Sequence, residues 1–230
     1  MIKFLFLDLD DTILDFKKAE AIAIRRTMRQ YGLEPTDELA ARYSAVNERH
    51  WKALERGEMT RDQVVVGRFA AFFGEQGIEV DAPTVAKTYE TFLSQGHFFL
   101  PGAEEAVKEK LYGKYKLYLA SNGTAVVQKG RMTSADLYPY FEQSFISEEI
   151  GYNKPAKEYF EIAFSRIPGF RREECIMVGD SLTGDILGGK NAGLRTVWIN
   201  PGHKTAPDHL KPDYELEYLA DLPALLEEIE

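Results

Sequence analysis

Asp8 and Asp10 stand two residues apart, where the apolar run Lys3-Phe4-Leu5-Phe6-Leu7 gives way to Asp8-Leu9-Asp10-Asp11-Thr12. Ser121-Asn122-Gly123 follows Leu119-Ala120, Lys154-Pro155 lies in a polar stretch, and Gly179-Asp180-Ser181 with Asp185 follows Cys175-Ile176-Met177-Val178. If these segments meet in one crevice, Asp8, Asp10, Asp180 and Asp185 repel one another, and each favours its protonated form unless a cation intervenes. A hard divalent cation with oxygen ligands removes the conflict. Mg²⁺ suits it, because Mg²⁺ uses few carboxylates and keeps room for water and a phosphate oxygen. Lys154 and the cation would then offset the charge of an incoming phosphate. Ser121 supplies a hydroxyl donor, and the backbone amides after it add more. Two acids two residues apart at a strand end provide a nucleophile and a proton donor.

The elements that must deliver these groups are legible from the apolar patterning. Residues 3–9 read as a buried strand. From residue 16 to 96 the apolar residues recur at helical spacing instead. One stripe holds Ala19, Ile22, Ala23 and Arg26; a second, after Pro35-Thr36-Asp37, holds Leu39, Tyr43, Val46, His50 and Leu54. Thr60-Arg61-Asp62-Gln63 matches a capping box ahead of Val64, Val65 and Phe69, and Asp81-Ala82-Pro83-Thr84 opens a fourth helix through Leu93. After Pro101-Gly102, helix and strand alternate. Helices are expected at 104–111, 156–165 and 186–192, and strands at 116–120, 143–147, 175–178 and 195–199. An edge strand at 214–216 and a closing helix at 219–229 complete the pattern. This rhythm predicts an α/β fold: a Rossmann-like parallel sheet core of residues 1–15 and 97–230, interrupted by an all-helical domain at 16–96. Ligands of such sheets bind beyond the carboxyl ends of the strands, where the acids and Ser121 fall.

These residues resemble the four motifs of the haloacid dehalogenase superfamily of phosphohydrolases. Asp8-Leu9-Asp10-Asp11-Thr12 is similar to the first, Leu119-Ala120-Ser121-Asn122-Gly123 to the second, Lys154-Pro155 to the third, and Gly179-Asp180-Ser181 with Asp185 to the fourth. The resemblance spans residues 4 to 199 in the family's order. It implies that Asp8 attacks phosphorus and becomes an aspartyl phosphate, while Asp10 protonates the leaving oxygen and then activates water. It also implies that Ser121, Asn122 and Lys154 hold the phosphoryl group. Asp8, the Asp10 carbonyl, Asp180 and Asp185 would bind Mg²⁺, Asp185 directly or through water. The helical insertion looks like the family's first class of cap. Dehalogenases of the family lack an acid two residues after the nucleophile, so Asp10 favours phosphoryl chemistry. Ala156 departs from the Asp that many relatives carry after the third motif. The first motif, the helical cap and Ser121-Asn122-Gly123 together look like the pyrimidine 5′-nucleotidase branch, which implies a nucleoside 5′-monophosphate as substrate. A sugar-phosphate phosphatase or phosphomutase of the same superfamily stands as the alternative. A phospho-acceptor signalling domain is a more distant one, set back by Asp10 and the insertion.

The chain has 230 residues, 44% hydrophobic and 28% charged, enough to bury a core without staples. Its formal net charge of −9 argues against a nucleic-acid polymer as partner. No apolar stretch has the length of a membrane span, and the N-terminus reads as a strand rather than a leader, so a cytoplasmic protein is expected, as a monomer or weak homodimer. Cys175 lies within an apolar run and reads as a core residue. His50 and Trp51 read as packing between helices, and His97, Phe98 and Phe99 as a packed segment at the return from the insertion. Asp185 has a second reading as an acid at a helix N-terminus, and Thr12 reads equally as a turn cap or a substrate contact.

Overall fold

A computed structural model describes residues 1–229. The chain divides into two compact units, residues 1–15 with 97–229, and Phe16–Gly96.

The first unit is built on strands β1 (Phe4–Leu7), β2 (Lys116–Ser121), β3 (Gln143–Ile146), β4 (Cys175–Gly179), β5 (Arg195–Ile199) and β6 (Tyr214–Leu216). They form one parallel sheet in the order β3-β2-β1-β4-β5-β6. Side chains alternate between its faces. Leu5, Leu7, Leu117, Leu119, Ile176 and Val178 enter one core, and Phe4, Phe6, Tyr118, Ala120, Cys175 and Met177 enter the other. Burial on both faces explains why these strands read as unbroken apolar runs. The first core is closed by Ala103, Val107, Leu111, Leu222 and Leu226, and the second by Tyr159, Phe160, Ala163 and Phe164. Cys175 is a buried free cysteine, and burial pushes its thiol pKa well up. Strand order reverses between β1 and β4, the switch point at which open α/β sheets take their ligands.

Around the sheet run α6 (Ala103–Glu105, continuing as a π-helical turn over Ala106–Leu111), α7 (Ala125–Ser134), α8 (Ser147–Ile150) and α9 (Lys157–Ser165). A π-helical turn (Leu182–Ile186) leads into α10 (Leu187–Asn191), and α11 (Leu222–Ile229) closes the unit. The alternation in sequence anticipates most of these. It misses α7 and α8, and it takes 186–192 as one helix where a wider turn begins at Leu182. The segments that leave for and return from the insertion pair with each other: the Asp15 N–H donates to the Phe98 carbonyl at 2.7 Å and the Leu100 N–H to the Ile13 carbonyl at 3.0 Å. The His97 and Phe98 rings stack at 6.1 Å.

The second unit contains α1 (Phe16–Gln30), α2 (Asp37–Glu55), α3 (Arg61–Val65), α4 (Gly67–Glu75) and α5 (Ala82–Leu93). Thr36 caps α2 by accepting the Leu39 N–H, and Thr60 with Gln63 forms the expected reciprocal box on α3. The third apolar stripe is two helices rather than one. The Val66 N–H closes α3 on the Asp62 carbonyl, and Gly67 begins α4. The first stripe is rotated from its expected position. Ala19, Glu20, Ala23, Ile24, Thr27 and Met28 are buried, while Ile22 is exposed. The rotation brings Glu20 inward, where its carboxylate accepts from Ser44 Oγ and Asn47 Nδ2, both at 2.6 Å. Asn47 Oδ1 in turn accepts from Arg68 Nη1 at 2.5 Å. The Arg68 guanidinium lies over the Phe69, Tyr89 and Trp51 rings. His50 Nδ1 donates to the Val46 carbonyl, one turn back on its own helix. Among the described residues, no helix is long and apolar enough to cross a membrane.

Candidate active site

The chain leaves β1 through a tight loop. The Leu9 carbonyl accepts from the N–H groups of Ile13 and Leu14, and Asp11 takes a left-handed conformation at φ 53°, which aspartate tolerates better than most residues. Asp8 itself stays in the ladder, its N–H on the Val178 carbonyl at 2.9 Å. This fixes its side chain at the switch point. Ser121 ends β2 on one side, and Asp180 follows β4 on the other. The indole N–H of Trp198 on β5 steadies Asp180 through its carbonyl, at 2.8 Å.

Three carboxylates converge here. Ligand oxygens of Asp8, Asp180 and Asp185 lie within 4.8 Å of one another. Lys154 is buried beside them, and its three ammonium hydrogens are all engaged. They go to Asp8 Oδ1 at 2.7 Å, Asp185 Oδ1 at 2.5 Å and the Ala120 carbonyl at 2.6 Å. Burial opposes the Lys154 charge, but Asp185 and Asp8 outweigh it and raise the ammonium pKa. Burial dominates for the acids, with Lys154 pulling the other way. The Asp8 carboxyl is raised, and that of Asp185 is pushed up to about 6. Asp185 lies in the first turn after Ser181 and also serves that turn. Its Oδ2 accepts the Ser181 N–H at 3.0 Å, while Ser181 Oγ accepts from Gly184 N–H. Gly179 makes room for it, since a Cβ there would come within 2.1 Å of Asp185 Oδ2.

These residues suit a hard cation. The donors are all oxygens, and one ammonium faces three carboxylates, which leaves net negative charge in a mostly buried site. Asp8, Asp180 and Asp185 present carboxylates to that position. Asp10 does not present its own. The Asp10 carboxylate turns to α7, where Oδ2 accepts from Gln128 Nε2 at 2.7 Å and Oδ1 from Arg131 Nη1.

The other sequence-selected residues fall nearby. Ser121 is buried, and its Oγ accepts from Gly123 N–H at 3.1 Å and Gln128 Nε2 at 2.6 Å. Asn122 uses both ends of its side-chain amide on the backbone of Lys154. Nδ2 donates to the Lys154 carbonyl and Oδ1 accepts the Lys154 N–H, both at 2.8 Å. The geometry therefore gives the Asn122 side chain a hold on Lys154, ahead of a cis Lys154–Pro155 bond. The Thr12 hydroxyl is fully buried with no hydrogen-bond partner. Gln128 and Arg131 were not apparent from the sequence. Their signal was an i, i+3 polar pair just downstream of Ser121-Asn122-Gly123, on a helix whose polar inner face hides its periodicity.

Comparison with known proteins gives a consistent set of relatives. The family model for haloacid dehalogenase-like hydrolases matches residues 2–193. The chain is 41% identical to the HAD-hydrolase YfnB of Bacillus subtilis, over 96% of this chain and 94% of that protein. It is 37% identical to the pyrimidine 5′-nucleotidase PynA of Streptococcus pneumoniae, over 96% and 93% of the two chains. It is 31% identical to the pyrimidine 5′-nucleotidase YjjG of Escherichia coli, over 96% of each. The magnesium-bound crystal structure of YfnB superposes with a TM-score of 0.92, covering 98% of both chains at 40% identity.

Proposed function

The chain belongs to the haloacid dehalogenase-like hydrolases, and on that footing we propose that it is a Mg²⁺-dependent phosphomonoesterase acting through an aspartyl phosphate on Asp8. The observation that carries the reading is the convergence of Asp8, Asp180 and Asp185, with the Lys154 ammonium bridging Asp8 and Asp185. Asp8, Asp180 and Asp185, with the Asp10 backbone carbonyl, would hold the metal. Bound there, Mg²⁺ supplies charge neutralisation for a phosphoryl oxygen.

The chain's own residues do the rest. Lys154 holds the attacking carboxylate still and offsets charge on the phosphoryl group. Ser121 donates its hydroxyl to a phosphoryl oxygen. An Asp8 carboxylate oxygen attacks phosphorus, and the bond to the ester oxygen breaks as Asp10 gives that oxygen its proton. Water then attacks the same phosphorus and passes a proton to Asp10. The acyl phosphate bond breaks, phosphate leaves, and Asp8 and Asp10 return to their starting states. A nucleoside 5′-monophosphate is the substrate we favour, supported by PynA and YjjG, both named pyrimidine 5′-nucleotidases.

Asp8→Asn removes the nucleophile and keeps its shape. Phosphate release from p-nitrophenyl phosphate with Mg²⁺ should fall by about 10³-fold or more. Retained turnover in that variant would refute covalent catalysis by Asp8. A phosphate-release screen across nucleotides, sugar phosphates and phospho-acids tests the substrate. Preference for pyrimidine monophosphates is the expected result.

A further inference from the structure

The mechanism above gives no task to Gln128 and Arg131, polar side chains that are fully buried. They sit three residues apart on one face of α7. The same helix packs Met132 into an apolar core, yet at these two positions it carries polar groups to the reacting acid. Arg131 Nη1 donates to Asp10 Oδ1, and Gln128 Nε2 donates to Asp10 Oδ2 at 2.7 Å and to Ser121 Oγ at 2.6 Å. The amide orientation follows from its neighbour in the state Asp10 takes once it has given up its proton, because an ionised carboxylate can only accept. Both Nε2 hydrogens are thus used. The Gln128 Oε1 is left buried without a partner, an arrangement that packing alone gives no reason to keep. Room for this amide exists because residue 123 is glycine: a Cβ there would lie 2.3 Å from Gln128 Nε2.

The contact also orders the serine. A hydroxyl has two acceptor lone pairs and one hydrogen. Ser121 Oγ accepts from Gly123 N–H and from Gln128 Nε2, so its hydrogen remains to be donated to an anion at the strand ends. One amide therefore sets the direction of the phosphate donor and the rotation of the proton-transferring acid.

We propose that Gln128 and Arg131 are positioning residues that lock the Asp10 carboxyl in place and, through Gln128, couple it to the Ser121 hydroxyl. The inference rests on the phosphatase reading and deepens it. Without the lock, Asp10 swings away from both the leaving oxygen and the attacking water, and misplacement on this scale costs about 100-fold in rate.

The test compares Gln128→Met and Arg131→Met, which keep bulk and lose the donors, with wild type and with Arg131→Lys. Each is given p-nitrophenyl phosphate and uridine 5′-monophosphate with Mg²⁺, with rapid acid quench and thermal melting as a fold control. A p-nitrophenolate leaving group needs no proton, whereas a nucleoside oxygen does. In the Met variants, kcat on the nucleotide should fall about 100-fold with KM within about threefold. On p-nitrophenyl phosphate, a first-turnover burst should survive while acid-stable phosphoenzyme accumulates, because water attack has become slow. Arg131→Lys should recover part of the rate. Equal losses on both esters with no phosphoenzyme build-up, or rates that follow melting temperature alone, would overturn the positioning role. If wild type releases no phosphate from either ester, the phosphatase reading fails and this inference with it. If wild type turns over and only the variant pattern is flat, the positioning role alone fails.

Discussion

Both units of the molecule bury charge, and they do so differently. At the strand ends, Asp8, Asp180 and Asp185 crowd together, with a single ammonium between Asp8 and Asp185. The groups come from the ends of β1 and β4 and from the loop before α9, and acid exceeds base. In the helical unit, Glu20 meets Ser44 and Asn47, and Asn47 meets Arg68. One acid there matches one base through a neutral amide, and the aromatic rings of Trp51, Phe69 and Tyr89 cover the guanidinium. The second circuit is balanced in charge, although Arg68 Nε is buried without a hydrogen-bond partner. The first carries a charge excess that folding alone does not remove, and it lies where the sheet topology opens to ligands. Burial of charge is therefore a weak guide to function. An unbalanced count at a switch point is a stronger one.

The contrast can be broken from either side. The largest effect on stability should come from Arg68→Met, which leaves Glu20 buried without its counter-charge. A loss of about 3–5 kcal/mol is expected, read by denaturant unfolding, and Glu20→Leu in the same chain should restore much of it. A neutral Arg68→Met would mean that buried Glu20 does not depend on the Arg68 charge. A smaller change of opposite sense is expected for Asp180→Asn. In EDTA it relieves like-charge repulsion at a partly exposed position, so stability should hold or rise by up to about 1 kcal/mol. Mg²⁺ should raise the melting temperature of wild type by binding the folded state, and the same variant should lose most of that rise. A variant that keeps the full Mg²⁺ shift would remove Asp180 from the proposed metal site. The smallest effect belongs to Arg42→Ala, which cuts an exposed i, i+4 pair with Glu38. Unfolding should change by less than about 0.5 kcal/mol. A larger loss would show that exposed charge in this unit has a share in the balance.

The two units were also unequally legible in the sequence. The central strands were readable because both of their faces are apolar, and the acids stand out where those runs stop. Thr36 and Thr60 marked helix starts through chemistry local to the chain. Long-range contacts defeated the rest. In α1 an apolar stripe through Ile22 looked reasonable, but Glu20 goes inward because Asn47 and Ser44 await it, and nothing near Glu20 in sequence says so. In α7 the inner face holds Gln128 and Arg131, whose partners Asp10 and Ser121 lie outside the helix. A hydrophobic period cannot reveal a helix that buries polar groups. Lys154 stood out in the sequence only through the resemblance of Lys154-Pro155 to a family motif, and its contacts with Asp8 and Asp185 came with the fold.

The sheet order has a consequence for how the chain is made. β1 is central, paired to β2 through Leu7 and Leu119 and to β4 through Leu7 and Val178. It nonetheless precedes the other five strands in the chain, and the whole helical unit emerges before either partner exists. During vectorial synthesis the contiguous helices can fold first, because their contacts close over short loops. The strand that carries Asp8, apolar on both faces, must meanwhile wait unpaired. Translation speed through residues 16–96 and chaperone cover for Phe4–Leu7 should therefore govern the yield of active protein more than the stability of the finished fold does.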